Sequence, residues 1–270
     1  MSSSYFYFDP VYLSQLSESL AASYREARPY PHVVLDNFIP DDVVLDDVLR
    51  EFPKPGSLDW IHYRQETEEK LASRDETQMG AATRHLLQQF NSSGFCQFLE
   101  KLTGIEGIIP DPYYWGGGLH QIERGGFLKI HTDFNWYPRL KLDRRLNLLL
   151  YLNRNWEESY GGHLELWSPN MARCERKILP IANRCVIFST TNSSYHGHPD
   201  ALTCPEGWTR KSLALYYYSN GRPQDEKTYS TVFKARPGEK FITESRSIAR
   251  RLVPPLFLDV LRKFRGSQDG

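Results

Sequence analysis

The spacing of apolar residues predicts a helical first part of the chain. Apolar side chains recur at near-helical spacing over residues 11–27, and a second helix is predicted from Pro40 to about residue 52. A short strand is predicted between these two helices, at 33–38. Helical spacing returns over 81–102, with a break near Asn91. These helices are expected to buttress a sheet.

Between the second and third predicted helices, the polar segment 64–79 shows neither helical nor alternating spacing. It predicts a loop with a helical turn.

From Gly118 onward the pattern changes to short apolar runs separated by Gly, Pro, Asn and Asp, which is typical of a β-barrel or sandwich. The predicted strands span residues 119–123, 127–133, 146–152, 163–167, 177–181, 185–189 and 212–219. The runs 148–150 and 186–188 are continuously apolar, which predicts burial on both faces and helices that cover one sheet.

The fold class predicted from this pattern is mainly β with flanking helices (α+β). Residues 1–117 form an N-terminal helical and strand region that packs on the core, residues 118–220 form the β core, and residues 221–270 form a C-terminal extension. That extension contains a predicted basic helix near 252–264, interpreted as a solvated helix face or as a docking surface for an anionic partner. The three regions are expected to form one integrated domain.

Net charge, cysteine spacing and the absence of long apolar stretches limit the functions and locations that fit this chain. Lys plus Arg and Asp plus Glu both number 33, so the zero net charge provides no overall basic field for nucleic acid or an anionic membrane. Four widely spaced cysteines without a CxxC pair indicate structural thiols in a reducing compartment. The N-terminus has no signal-peptide pattern and no stretch reaches the length of a membrane span, so a cytoplasmic location is predicted.

The candidate chemistry begins at His131 and Asp133. In a strand, residues two apart point to the same face, so these side chains would present a nitrogen and a carboxylate oxygen to one ion. The third ligand must come from elsewhere in the chain, and His196 is the leading candidate. His198 is its rival, because both histidines can face the same side of an extended segment. Two imidazoles and one carboxylate with open positions are expected of non-haem iron(II) oxygenases.

An ordered series of motifs resembles the 2-oxoglutarate- and iron(II)-dependent oxygenases, and most closely their prolyl-hydroxylase-like branch. The series is His131-Thr-Asp133, then Arg145-Leu-Asn-Leu-Leu-Leu-Tyr151-Leu-Asn153, then Gly161-Gly162-His-Leu-Glu-Leu-Trp167, then Asn183-Arg-Cys-Val-Ile-Phe188, then His196, then Arg210-Lys-Ser-Leu-Ala-Leu-Tyr-Tyr. The resemblance covers about residues 118–220 and implies a double-stranded β-helix, or jelly roll, whose open mouth holds the iron. It also favours His196 over His198, since the family places its distal histidine a few residues before a proline.

The resemblance also implies roles for the residues that match the family's pattern. His131, Asp133 and His196 match the iron ligands, and Arg210 matches the basic residue that grips the distal carboxylate of 2-oxoglutarate. Tyr151 matches a tyrosine that helps to hold the same carboxylate, and Gln121 occupies a position that often contacts the cosubstrate or substrate. Asn147, Ser212, His120 and Trp136 are further candidates for the pocket wall, and His198 would remain a pocket residue.

The reaction implied is hydroxylation of an unactivated C–H bond with O2, as 2-oxoglutarate is converted to succinate and CO2; ascorbate would maintain the iron. Asp133 disfavours halogenation, because related halogenases replace this carboxylate with a small residue. The expected substrate is a small molecule or biosynthetic intermediate. Two alternatives stay open, a peptidyl-prolyl hydroxylase and a non-catalytic cupin-like binding protein. The predicted partners are a small molecule or peptide, with no nucleic acid and no membrane.

Overall fold

The computed structural model describes residues 6–222 and 226–241 of the chain. The basic helix predicted near 252–264 lies outside the described residues, together with most of the C-terminal extension. Within the described ranges, no helix has both the length and the apolar character needed to cross a membrane.

The helices predicted for the first part of the chain are confirmed. They are α1 (Pro10–Glu26), α2 (Asp42–Glu51), α3 (Ala81–Phe90) and α4 (Ser93–Thr103). Asp9 and Asp41 cap the first two, since each side chain accepts hydrogen bonds from backbone N–H groups of the first turn. The break near Asn91 separates α3 from α4, where the Ser92 hydroxyl accepts a hydrogen bond from the N–H of Phe95.

Among the described residues, fourteen strands form one antiparallel sheet. They are β1 (His32–Leu35), β2 (Ile61–Gln65), β3 (Glu68–Ser73), β4 (Ile109–Pro110), β5 (Gly118–Glu123), β6 (Phe127–Thr132), β7 (Trp136–Tyr137), β8 (Leu142–Tyr151), β9 (Leu164–Trp167), β10 (Cys174–Ile178), β11 (Cys185–Ser189), β12 (His196–His198), β13 (Thr209–Ser219) and β14 (Val232–Phe233). Short 3₁₀ turns occur at Glu76–Gln78 and Glu158–Tyr160.

The main path through the sheet runs β1-β11-β8-β13-β5-β3-β6-β12-β9-β10. Strand β3 joins its two halves, because one end of β3 pairs with β5 and the other end pairs with β6. The sheet therefore curls back on itself, and the predicted jelly roll with N-terminal helices against one side is confirmed.

Side chains alternate along the long strands, so that one face packs in the hydrophobic core and the other face carries polar groups. On β13, Leu213, Leu215 and Tyr217 belong to the main hydrophobic core, and that core also contains buried residues of all four helices. Arg210 and Ser212 lie an odd number of residues from these side chains, so they point to the opposite, concave face of the curled sheet. Helices cover one side of the strands, as the continuous apolar runs predicted, and polar groups are left for the other side.

Two predictions about strands are wrong. Part of the segment 64–79, predicted as a loop, forms the β2–β3 hairpin, in which Tyr63 pairs with Lys70. The sequence does not reveal this hairpin, because β2 is largely exposed and the other partners of β3, which are β5 and β6, are distant in sequence. The strand predicted at 177–181 lies three residues earlier, as β10, since Pro180 has no N–H to donate to a ladder.

Candidate active site

Adjacent strands bring together the three expected metal ligands. His131 on β6 is paired with His196 on β12, and their ring centroids are 4.5 Å apart. Asp133 follows the end of β6 directly. One ligand atom from each of these side chains lies within 4.8 Å of the others, and all three residues are largely buried. His198 is not part of this group.

Backbone carbonyls fix which nitrogen each histidine presents. Nδ1 of His131 lies 2.8 Å from the carbonyl oxygen of Lys129, and Nδ1 of His196 lies 2.9 Å from that of Ser194. A carbonyl can only accept, so each Nδ1 carries the proton and each Nε2 keeps its lone pair. The two Nε2 atoms face the Asp133 carboxylate, at 3.6 Å from Oδ1 for His131 and 3.2 Å from Oδ2 for His196.

Two side chains from β8 hold the Asp133 carboxylate. Nδ2 of Asn147 donates to Oδ2 at 2.6 Å, and Nη2 of Arg144 lies 3.0 Å from the same oxygen. Arg144 is fully buried and its guanidinium lies over the rings of Phe134 and Tyr216, at 4.6 and 3.3 Å from their centroids. Because Arg144 also donates to the Asn147 side-chain oxygen, the three polar groups form one network.

Electrostatics keep these groups in the forms that bind metal. Burial alone would raise the pKa of Asp133, but Arg144 and the two imidazoles outweigh burial and hold that pKa well below its usual range. Burial and the neighbouring His196 lower the pKa of His131, so its ring is neutral. Two imidazole Nε2 lone pairs and an ionised carboxylate on one side of a metal fit iron(II).

The second polar cluster of the concave face surrounds Arg210 on β13. Its Nε donates to the carbonyl oxygen of Gly162 at 2.8 Å, and its Nη2 donates to the Tyr151 hydroxyl at 3.3 Å. Both side chains are buried, and the guanidinium lies 4.8 Å from the centroid of the Tyr151 ring. Gly162 has a φ of +72°, and a Cβ there would lie 2.9 Å from Cδ of Arg210. A glycine is therefore needed for the guanidinium to sit where it does.

Strand register places the remaining candidates. Ser212 pairs with Tyr151 on one side and His120 on the other, so these three residues share the concave face with Arg210. Gln121 pairs with Lys211 instead, and both point to the helix-facing side. The Gln121 amide donates to the Thr209 hydroxyl at 2.9 Å. The Gln121 side chain thus points away from Arg210 and Tyr151, and its contact with the cosubstrate or substrate stays a prediction.

His198 lies on β12 and is buried, with 3% of its surface exposed. Neither ring nitrogen has a hydrogen-bond partner among the described residues. Burial lowers the pKa of His198 well below its usual value, and Arg210, Lys70 and His131 act in the same direction.

Arg144 and Lys70 are polar groups near the site that sequence reasoning missed. Arg144 lies in the polar first half of β8, beside Asp143 and Arg145, and only its position just before the matched Arg145 motif could have pointed to it. Lys70 belongs to the hairpin that was expected to be a loop. Trp136 lies on the short strand β7, paired with Asp143 of β8.

Comparison with known proteins shows which family this chain is similar to. Residues 117–218 match the family described as the 2OG-Fe(II) oxygenase superfamily. The mouse (Mus musculus) protein prolyl 3-hydroxylase OGFOD1 is 22% identical over 242 residues, which is 86% of this chain and 40% of that protein. The chain thus spans less than half the length of this relative.

Two solved structures share the fold. A prolyl hydroxylase from Trichoplax adhaerens, solved in complex with a hypoxia inducible factor oxygen degradation domain peptide fragment, has a TM-score of 0.57 and 18% identity, and the match covers 77% of this chain and 91% of that one. The non-heme alpha-ketoglutarate-dependent epimerase SnoN of nogalamycin biosynthesis has a TM-score of 0.52 and 12% identity, with 84% and 86% covered.

Proposed function

We propose that this chain is a prolyl-hydroxylase-like 2-oxoglutarate- and iron(II)-dependent oxygenase, because residues 117–218 match that superfamily, and that His131, Asp133 and His196 hold its iron(II). The enzyme uses iron(II), 2-oxoglutarate and O2. The observation that carries the assignment is the convergence of the three ligand atoms within 4.8 Å, with each Nδ1 already occupied by a carbonyl. Three ligands on one side of the metal leave positions open for cosubstrate and oxygen.

Arg210 and Tyr151 bind the distal carboxylate of 2-oxoglutarate in this proposal. A guanidinium and a phenol are both donors to a carboxylate, and burial strengthens these bonds because little water competes. Nε of Arg210 is already committed to Gly162, which leaves its terminal nitrogens for the cosubstrate. Gln121 is left out, because it lies on the other face of β5.

When bound, iron(II) and 2-oxoglutarate activate O2 and supply the oxidant, with release of succinate and CO2. The chain itself contributes position and electrostatics. Arg144 and Asn147 hold the Asp133 carboxylate in place, and Phe188 packs edge-on against the His196 ring at 4.7 Å. The retained carboxylate of Asp133 supports hydroxylation rather than halogenation.

The substrate proposed is a small molecule or biosynthetic intermediate that carries charge. Lys70 and Glu68 form a 3.0 Å ion pair on the hairpin, with only 15% and 12% of their side chains exposed. Burial raises the pKa of the Tyr216 phenol, and the charge of Lys70 acts in the opposite direction. A largely buried pair of opposite charges beside the site suits a polar substrate of limited size.

A peptidyl-prolyl residue is the second candidate substrate. The observation in its favour is the 22% identity with a prolyl 3-hydroxylase over 86% of the chain. That relative is more than twice as long, so its activity does not transfer as a whole.

The test is succinate formation by the purified protein with iron(II), ascorbate and 2-oxoglutarate. One set of reactions contains free amino acids and other charged small molecules, and a second contains proline-containing peptides. Stimulation by the first set, with a product one oxygen atom heavier, supports the small-molecule assignment. Stimulation by peptides alone replaces it with the second candidate. A His196→Ala variant with full activity would contradict the ligand assignment.

A further inference from the structure

We propose that His198 is a cosubstrate-positioning residue, which donates a hydrogen bond to the distal carboxylate of 2-oxoglutarate beside Arg210. This inference rests on the proposed function, since it deepens the assignment of the Arg210 pocket. His198 would then be a third donor to the same carboxylate, in addition to Arg210 and Tyr151.

Strand register places His198 on the concave face. Residues opposite one another on neighbouring strands share a face, as do residues two apart on one strand. His196 pairs with Leu166 of β9, and Leu166 packs in the same buried cluster as Tyr151, the hydrogen-bond partner of Arg210. His198 lies two residues after His196 on β12, so it lines the same concave surface, although the register of β12 against β6 shifts between these two histidines.

The packing of β12 explains why two histidines flank a glycine there. A Cβ on Gly197 would lie 2.7 Å from the carbonyl oxygen of Leu128 and 2.8 Å from that of Lys129. Gly197 thus lets β12 approach β6 closely, and His196 and His198 occupy the positions on either side. His196 joins the metal-binding group, whereas His198 does not.

The hydrogen-bonding state of His198 indicates a missing partner. Its side chain is buried, yet neither Nδ1 nor Nε2 has a partner within the described ranges. A buried polar group without a partner destabilises the fold, so such groups are usually satisfied by water or a ligand. Every other histidine ring that contacts the proposed metal or cosubstrate residues has at least one partner: His131 and His196 bond carbonyls, and so does His120.

The chemistry around His198 selects an anion. The groups whose charge acts on it are Arg210, Lys70 and His131, and none of them is an anion. A neutral imidazole has one N–H to donate, and a carboxylate has about four lone-pair positions to accept with. Arg210 and Tyr151 fill only some of these positions, so one is available for the His198 N–H.

The experiment compares two chelating ligands on Mn(II)-loaded protein, with Mn(II) replacing iron(II) so that no turnover occurs. 2-Oxoglutarate has a distal carboxylate, and oxalate binds the metal but has none. Titration calorimetry on a His198→Leu variant should show affinity for 2-oxoglutarate reduced about 10-fold or more, as expected for loss of a hydrogen bond to a charged group. The affinities for oxalate and Mn(II) should be unchanged.

A second variant separates hydrogen bonding from packing. His198→Gln keeps an N–H donor and should retain more of the 2-oxoglutarate affinity than His198→Leu. His62→Leu, which removes an exposed histidine of β2, is the matched control and should leave both ligands unaffected.

Three outcomes would overturn the inference. One is an equal loss of affinity for oxalate and for 2-oxoglutarate in His198→Leu. If that variant does not fold, the same comparison is made in His198→Gln. Another is unchanged 2-oxoglutarate binding in His198→Leu. A third is loss of Mn(II) binding, which would make His198 a ligand. If the unmodified protein binds Mn(II) and oxalate but not 2-oxoglutarate, the proposed function itself fails, which is a distinct result.

Discussion

Nη2 of Arg144 lies 3.0 Å from Oδ2 of Asp133, so a fully buried cation neutralises the carboxylate proposed to bind iron. Asn147 donates to that same oxygen at 2.6 Å, and Arg144 in turn donates to Asn147. The carboxylate is thereby oriented before any metal arrives, with Oδ1 left closer to His131. Both supporting residues lie on β8, a strand whose other face packs against the helices.

Removal of the Asn147 amide should weaken metal binding. In Asn147→Ala, Asp133 loses its shortest hydrogen bond and becomes free to rotate toward Arg144. Because partners that orient a ligand typically contribute 10–100-fold to metal affinity, we expect a loss of about that size for Mn(II), measured by calorimetry. Asn220→Ala, at an exposed position, is the control. Equal affinities in the two variants would mean that Arg144 alone orients the carboxylate.

Two buried tyrosines allow a matched test of the cosubstrate pocket. Tyr151 and Tyr217 are both fully buried, but Tyr151 bonds Arg210 whereas Tyr217 donates to the carbonyl oxygen of Phe90 on the helix-facing side. Tyr151→Phe should raise the KM for 2-oxoglutarate about 5-fold or more. Tyr217→Phe should lower the free energy of unfolding by about 1 kcal/mol without change in that KM. A raised KM in both variants would argue against a specific role for Tyr151.

The Gly161–Gly162 pair offers a test of Arg210 placement. Both glycines have a φ of +72°, so alanine at either position strains the backbone by about 1–3 kcal/mol. Only at Gly162 would the new Cβ also collide with the Arg210 and Leu202 side chains. We expect Gly162→Ala to lose more 2-oxoglutarate affinity than Gly161→Ala, as measured by calorimetry at a temperature where both remain folded. Similar losses would mean that the turn, and not the contact, controls Arg210.

Buried histidines should make the metal-free protein sensitive to mild acid. Burial, followed by the charge of Arg176, lowers the pKa of His32, and burial also lowers the pKa of His131 and His198. Below the unfolded-chain pKa of about 6.5, the unfolded chain binds more protons than the folded one, so stability is full above this pH and is lost as pH falls. Each such histidine contributes up to about 1.4 kcal/mol per pH unit.

Urea unfolding between about pH 7.5 and 5.5 measures this slope. A His32→Leu variant should show a smaller slope than the unmodified protein, whereas replacement of the exposed His62 by Gln should leave it unchanged. A free energy of unfolding that does not fall over this range would show that these rings accept protons in the folded protein as readily as in the unfolded chain.

Features with a fixed local spacing were predictable from sequence. His131 and Asp133 are two apart on an extended segment, and the apolar runs of β8 and β11 require burial on both faces whatever their neighbours are. The helices followed from apolar residues at near-helical spacing, and the Asp and Ser side chains that cap them act within four residues.

Features set by strand pairing were not predictable. Whether Gln121 shares a face with Arg210 depends on the register of β5 against β13, and a shift of one residue would reverse the answer. The β2–β3 hairpin is similar, because β3 is held by β5 and β6, which lie about fifty residues away. The burial of Arg144 is the opposite of what its hydropathy predicts. It is possible because the charge of Asp133, eleven residues earlier in the chain, matches that of Arg144.

The division of β13 and β8 into two faces has a consequence for any attempt to isolate the catalytic segment. The residues that match the superfamily begin at 117, after all four helices. Without residues 1–116, the leucines at 146, 148, 150, 213 and 215 would be exposed to water as one broad apolar surface. Such a fragment would aggregate before it could bind iron. The segment that is shared with other proteins therefore depends on residues 1–116, which lie outside the match, to stay in solution.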